Sequence, residues 1–159
     1  MELFQRAVNC VTRSVLIHSG YTPDRGPYTL TFGGSEIVPL RGPHRISLGM
    51  IHGYAVARAG NGWRVQTTSY SYQLFLPDER PLMTWHWHPE GSSPVSWPHA
   101  HIPGHVHPVD LRKAHVPTGR IPLEAVIRFA IEEVGVEPLR ADWRALLEET
   151  ERAFREAEV

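Results

Sequence analysis

The fourteen residues from Trp63 to Leu76, WRVQTTSYSYQLFL, bind the rest of the chain to one kind of fold. They are dense in Thr and Tyr, which suit a pleated, half-buried surface, and turn signals stand at both ends. Before them comes Gly60-Asn61-Gly62, where Asn and Gly tolerate positive φ. After them Pro77-Asp78-Glu79-Arg80 makes a four-residue turn. Ile46 to Arg58 and Pro81 to His88 then read as the flanking strands, which makes the centre of the chain a three-stranded antiparallel meander.

Register follows from faces. Residues i and i+2 of a strand share a face, so a one-residue slip exchanges the two sides. Pairing Leu76 with Pro81 sets Tyr72 opposite Trp85 and Tyr70 opposite Trp87, an aromatic cluster on one face. The same register sets Gln73 opposite Thr84, Ser71 opposite His86 and Ser69 opposite His88 on the other. One face is core and the other is polar.

Flanking elements complete an α+β fold: an antiparallel sheet of four or more strands, packed by C-terminal amphipathic helices and a short N-terminal helix, in one domain over 1–159. Leu3, Phe4, Ala7, Val8 and Val11 recur at helical spacing. Val11 to Ile17 is rich in β-branched residues, Tyr21 to Pro27 is a turn, and Tyr28 to Phe32 reads as a strand. Ser35 to His44 holds two prolines between short strand-like pieces. Pro122, then Leu123, Val126, Ile127, Ala130, Ile131 and Val134, with Gly135 behind them, predict a helix over 122–134. Trp143, Leu146, Leu147 and Phe154 form the stripe of a last helix over about 140–157. At i, i+4 spacing, Glu124 with Arg128 reads as an exposed pair, and Glu148 with Arg152 and Glu151 with Arg155 ring the stripe of the last helix.

The chemistry is concentrated in residues 83–115, which carry seven of the ten histidines. Six of the seven form His-x-His pairs: His86/His88, His99/His101 and His105/His107. The loop at 90–96 is long enough to return 98–102 alongside 82–88, placing two pairs across a sheet spacing of about 4.8 Å. Beyond it, His105 to His115 reads as an irregular crossing. Imidazoles that close disfavour protonation, and neutral imidazole ligates Zn²⁺, Ni²⁺ or Mn²⁺ or serves as a general base. His86, His88, His99 and His101 are therefore the candidate metal ligands and the candidate catalytic acid–base groups. Ser69 and Ser71 are placed to orient imidazoles, and Arg120, with Arg58 or Arg64, to steady phosphate charge.

Other patterns are excluded by spacing. A histidine-triad nucleotide hydrolase needs a third alternating histidine where this chain has Pro103. Glu90 follows His88 too closely for a cupin, and His-Glu-x-x-His is absent. GGSE at 33–36 lacks the spacing of a phosphate loop, so no nucleotide cofactor is expected. Cys10 is the single cysteine, which rules out an internal disulfide and leaves nitrogen and oxygen ligands for any metal. Cys10 itself reads as a small buried apolar side chain.

At 42% hydrophobic and 21% charged residues the composition is that of a folded globule. No apolar run nears the roughly 20 residues of a membrane span, and MELFQRAVNC lacks the apolar centre of a secretory signal; cytoplasm, with no membrane partner, is the expectation. Charge is uneven. Residues 132–159 hold nine acids against four arginines, while residues 1–131 hold eight acids against twelve bases. The body is only mildly basic, a weak nucleic-acid footprint.

Tyr70-Ser71-Tyr72, a hairpin turn, Leu82-Met83-Thr84-Trp85, Pro98-His99-Ala100-His101 and a terminal amphipathic helix follow one another in this order. In this order of motifs the chain resembles the TumE-type toxins of bacterial toxin–antitoxin pairs, over about residues 54 to 134. It departs from them at His86, where those proteins carry an acidic residue. The resemblance implies a toxin-like ribonuclease, with RNA as substrate and an antitoxin-like protein or a second copy as partner. Two readings follow: a metal-assisted or acid–base hydrolase, or a non-catalytic module whose histidine face holds a metal or a protein.

Overall fold

The computed structural model describes residues 1–20, 26–60, 62–90, 94–106, 109–110 and 114–158. Most of the turn expected at 21–27, Asn61 of the first hairpin, 91–93 of the loop, and 107, 108 and 111–113 of the crossing lie outside the described residues.

In chain order the elements are α1 (Glu2–Val8), β1 (Leu16–His18), β2 (Tyr28–Phe32), β3 (Ile37–Pro39), β4 (Ser47–Ala59), β5 (Gly62–Phe75), β6 (Pro81–Trp87), β7 (His99–His101), β8 (His105–Val106), β9 (Val109–Asp110), β10 (Val116–Pro117), α2 (Leu123–Glu132) and α3 (Trp143–Glu158). Eight strands form an antiparallel sheet in the order β1-β2-β4-β5-β6-β7-β10, with β3 also against β4; β8 and β9 pair separately. This is the expected α+β architecture. No described helix is long and apolar enough to cross a membrane.

The central meander has the expected faces. Tyr72 pairs with Trp85, Tyr70 with Trp87, Ser71 with His86 and Gln73 with Thr84. Tyr70 and Tyr72 stack at 4.9 Å, and Trp85 meets Phe129 of α2 edge-on at 5.4 Å. Both tryptophans and both tyrosines are buried, on the face that α2 and α3 cover. One expected pair fails. Phe75, not Leu76, pairs with Pro81, because an irregularity at Leu74/Phe75 absorbs one residue beside the turn. The Leu76 N–H instead donates to the Arg80 carbonyl at 2.9 Å and closes that turn.

The first hairpin contains a β-bulge at Gly53/Tyr54, which opposes two residues of β5 to one of β4. A Cβ at Gly53 would lie 2.3 Å from the Ser69 Oγ, so a larger residue there must displace the Ser69 hydroxyl. Below the bulge, His52 sits opposite Tyr70 and faces the core, only 2% exposed. Its Nδ1 shares a hydrogen bond of 2.7 Å with the Tyr72 hydroxyl, and its ring lies 4.4 Å from that of Phe4. Burial first, then the N-terminal charge, pushes the His52 pKa down to about 4.

A pH effect on stability follows. An unfolded histidine takes up its proton near 6.5, whereas folded His52 does so only near 4. Between these values the unfolded chain binds more protons, so the stability contributed by neutral His52 is complete above about pH 6.5 and is lost as pH falls toward 4. The full loss is about 3 kcal/mol. Urea midpoints of wild type and His52→Gln from pH 7 to 4 should converge in this window; parallel curves would show that His52 does not set the slope.

The helices differ from expectation at their ends. Pro122 caps α2 in an extended conformation rather than forming its first turn, and α2 stops at Glu132 ahead of Gly135, whose φ is +78°. Helix α3 begins at Trp143, after the Asp142 carbonyl accepts the Leu146 N–H at 3.1 Å. Glu151 and Arg155 pair at 2.7 Å as expected. Glu124 and Arg128 do not form the expected exposed pair. Helix α3 packs over that flank of α2, so Glu124 is 2% exposed and Arg128 reaches Glu151 at 3.0 Å instead. Cys10 is buried, as expected, and burial pushes its thiol up to about 11.

Candidate metal centre

The face of the sheet turned away from the helices carries the histidines. Strand β7 pairs with β6 so that His99 stands directly opposite His86 and His101 opposite Thr84, while Ala100 between them turns to the core beside Trp85. Alternation in two adjacent strands therefore delivers three imidazoles to one spot. One ring nitrogen from each of His86, His99 and His101 lies within 4.8 Å of the other two. The three residues lie close enough to bind a metal ion.

The ring positions are held by specific contacts. His99 is 3% exposed, and its Nδ1–H donates to the Trp97 carbonyl at 2.8 Å. A carbonyl only accepts, so Nε2 of His99 is left with its lone pair, the tautomer that ligates metals or takes a proton. The Nε2 atoms of His101 and His86 are 2.9 Å apart, so one carries a proton that it donates to the other. Two imidazole nitrogens on one tetrahedral ion sit about 3.3 Å apart, given metal–nitrogen distances near 2.05 Å. The His86–His101 pair is within a few tenths of an ångström of that spacing, whereas the three nitrogens together, spread over up to 4.8 Å, must draw in by more than an ångström to hold one ion. Burial pushes the His86 pKa down to about 4, aided by His99, His101, His88 and His115, and burial with His99 lowers that of His88.

The other expected participants are distributed differently. The ring of His88 stands edge-on to that of His86 at 5.1 Å, outside the three-nitrogen group. It follows the last residue of β6, where pairing with β7 no longer carries it inward. Ser71 faces His86 across the β5–β6 ladder, and that ladder ends at Tyr70/Trp87, one residue short of the expected Ser69–His88 pair. Arg120 is not at the imidazoles: its guanidinium lies 4.1 Å over Trp87, a residue of the helix-covered face. One residue was missed. The ring of His115, just before β10, lies 4.8 Å from that of His99 and 4.7 Å from that of His101. Nothing in its local sequence marks it, because the β7–β10 pairing places it there. The side chains of His105 and His107 lie outside the described residues.

Across the same face runs a groove of about 530 Å³, floored by Thr31, Gly49, Ile51, Ser71 and Gln73. Ser71 in its floor is the β5 residue paired with His86, and no histidine is among its described lining residues. Among its described lining residues Glu36 is the single ionisable group. No family model, curated protein or solved structure matches the chain, so the resemblance to TumE-type toxins rests on its quoted motifs.

Proposed function

We propose that this protein binds one divalent metal ion through His86, His99 and His101 and uses it in hydrolysis. The observation that carries this reading is the convergence of three imidazole nitrogens within 4.8 Å, one of them fixed in its ligating tautomer by Trp97. Three protein ligands leave an ion room for water and for a substrate oxygen, the arrangement of catalytic rather than structural sites. Zn²⁺ and Ni²⁺ suit an all-imidazole set best, with Mn²⁺ behind them.

The surroundings favour an uncharged polar substrate over RNA. A polyanion is held largely by cations at its phosphates, and the groove's described lining offers none. RNA and an antitoxin-like partner remain the expectation of the TumE-type resemblance alone. Tag-free protein, purified without a chelating column, should contain close to one equivalent of metal by elemental analysis. Metal-loaded protein should hydrolyse uncharged esters or amides faster than RNA; metal-dependent cleavage of RNA alone would reverse that preference.

His115 supports a second reading. Its ring is near enough to His99 and His101 for a small shift to make it a fourth ligand, which closes the site and makes it structural. His115→Ala separates the two. On the catalytic reading it leaves metal content unchanged and affinity within about threefold; on the structural one, losing a ligand costs at least the 10–100-fold typical of even outer partners. The Co²⁺-loaded protein gives an independent check, since its visible spectrum changes with coordination number.

A further inference from the structure

The groove on the histidine face lies at the fork where β4 changes partner from β2 to β3. Two cross-strand rows join it to the imidazoles. One runs Thr31, Ile51, Ser71, His86, His99, and the other Ile37, Gly49, Gln73, Thr84, His101. Paired positions on neighbouring strands share a face, so each row is continuous on this side of the sheet. Their chain neighbours Met50, Tyr70, Tyr72 and Trp85 all turn to the core, as alternation requires.

The rows change character with distance from the histidines. One strand away, on β5, Ser71 and Gln73 carry hydroxyl and amide groups suited to a polar scissile bond. Two strands away, on β4, Ile51 is 55% exposed. Beside it Ile37 and Phe75 converge over Gly49, where a Cβ would lie 3.0 Å from a carbon of each. Thr31, next in the first row, donates its hydroxyl to the Met50 carbonyl at 3.1 Å, which leaves its methyl as the surface it adds. The far part of the groove is thus aliphatic and aromatic. Glu36 is exposed and precedes β3, on the side of β4 away from the histidines, where it disfavours a chain that ends in a carboxylate.

A substrate that lies in this groove with its scissile carbonyl at His86 meets polar groups first and hydrocarbon second. Two strand spacings put Ile51 about 9.6 Å from His86. An extended chain advances roughly 1.2 Å per bond, so about eight bonds cover that distance. We infer that the groove is the acyl subsite of the proposed hydrolase and takes an unbranched aliphatic chain of about eight carbons. Ile51 is the residue that sets the preference for chain length. The inference rests on the metal-hydrolase reading. In the reaction water adds to the carbonyl carbon, the bond to the alcohol or amine breaks, and that group leaves with a proton from the water.

The probes are p-nitrophenyl acetate, p-nitrophenyl octanoate and octanamide, used on the full chain. Each fully buried methylene is worth about fourfold, so a chain half-covered in an open groove should gain at least about tenfold. With Zn²⁺-loaded protein, kcat/KM should therefore be at least about tenfold higher for the octanoate than for the acetate. Ile51→Thr keeps a β-branched residue at an exposed strand position and removes the apolar floor; it should lower that ratio at least about threefold. A wild-type ratio near one, or a ratio that Ile51→Thr leaves unchanged, overturns the proposal. Octanamide provides a readout that needs no turnover. In metal-loaded and metal-free protein alike it should shift the backbone amide resonances of Gly49, Ile51 and Gln73, and shifts elsewhere or none at all overturn the subsite. Protein that hydrolyses neither ester yet shows those shifts would overturn the hydrolase reading and leave the chain-binding groove standing.

Discussion

Protein carrying His99→Ala and His101→Ala together should bind Zn²⁺ or Ni²⁺ on the order of a thousandfold or more weakly than wild type, as expected when two of three ligands are removed. The geometry concentrates the effect. His99 is the ligand whose tautomer is fixed, by its bond to the Trp97 carbonyl, and His101 is the partner of His86 across 2.9 Å. A single remaining imidazole binds no better than a surface histidine. The sheet should survive, because Ala100, between the two, holds the core side of β7 and is itself unchanged. Competition against a chromophoric chelator measures the loss, and far-ultraviolet circular dichroism with urea unfolding reports the fold. A double variant that keeps one equivalent of tightly held metal would falsify the three-histidine site.

Trp85→Ala should have the largest effect on stability, about 3–5 kcal/mol, the range for truncating a buried aromatic residue to alanine. Trp85 is 6% exposed, pairs with Tyr72 on β5 and Ala100 on β7, and meets Phe129 of α2 edge-on. It is therefore a principal contact through which the sheet meets α2, and its loss leaves a cavity that both layers border. Trp63 is 70% exposed and provides the contrast: Trp63→Ala should change stability by roughly 0.5 kcal/mol or less. Urea unfolding of the two variants beside wild type decides the matter. A loss under about 1.5 kcal/mol for Trp85→Ala would mean that α2 is held elsewhere, since core truncations of this kind rarely cost so little.

The pairings nearest the centre of the chain were legible in the sequence. Alternation is a local property of a strand, and two turns of readable length tie the central strand to its neighbours. Tyr70, Tyr72, Trp85 and Trp87 therefore sort to one face and Ser71 and His86 to the other before any long-range contact is known. The juxtaposition of His86 with His99 and His101 follows from the same alternation once β7 returns beside β6. Even the irregularity beside the second turn left these faces unchanged, because it lies outside them.

What the sequence did not determine depends on how separate layers and distant strands meet. The bulge at Gly53/Tyr54 shifts the register along β4, and His52, absent from any His-x-His pair, ends in the core against Tyr72 and Phe4. Glu124 satisfies every local rule for an exposed helical position, yet docking of α3 over α2 buries it and sends Arg128 to Glu151. His115 joins the imidazoles because β10 pairs with β7, and His88 stands aside because β6 ends one residue before it. Local periodicity assigns a side chain to a face of its own element. Only tertiary packing decides whether that face meets water, another layer, or three more histidines.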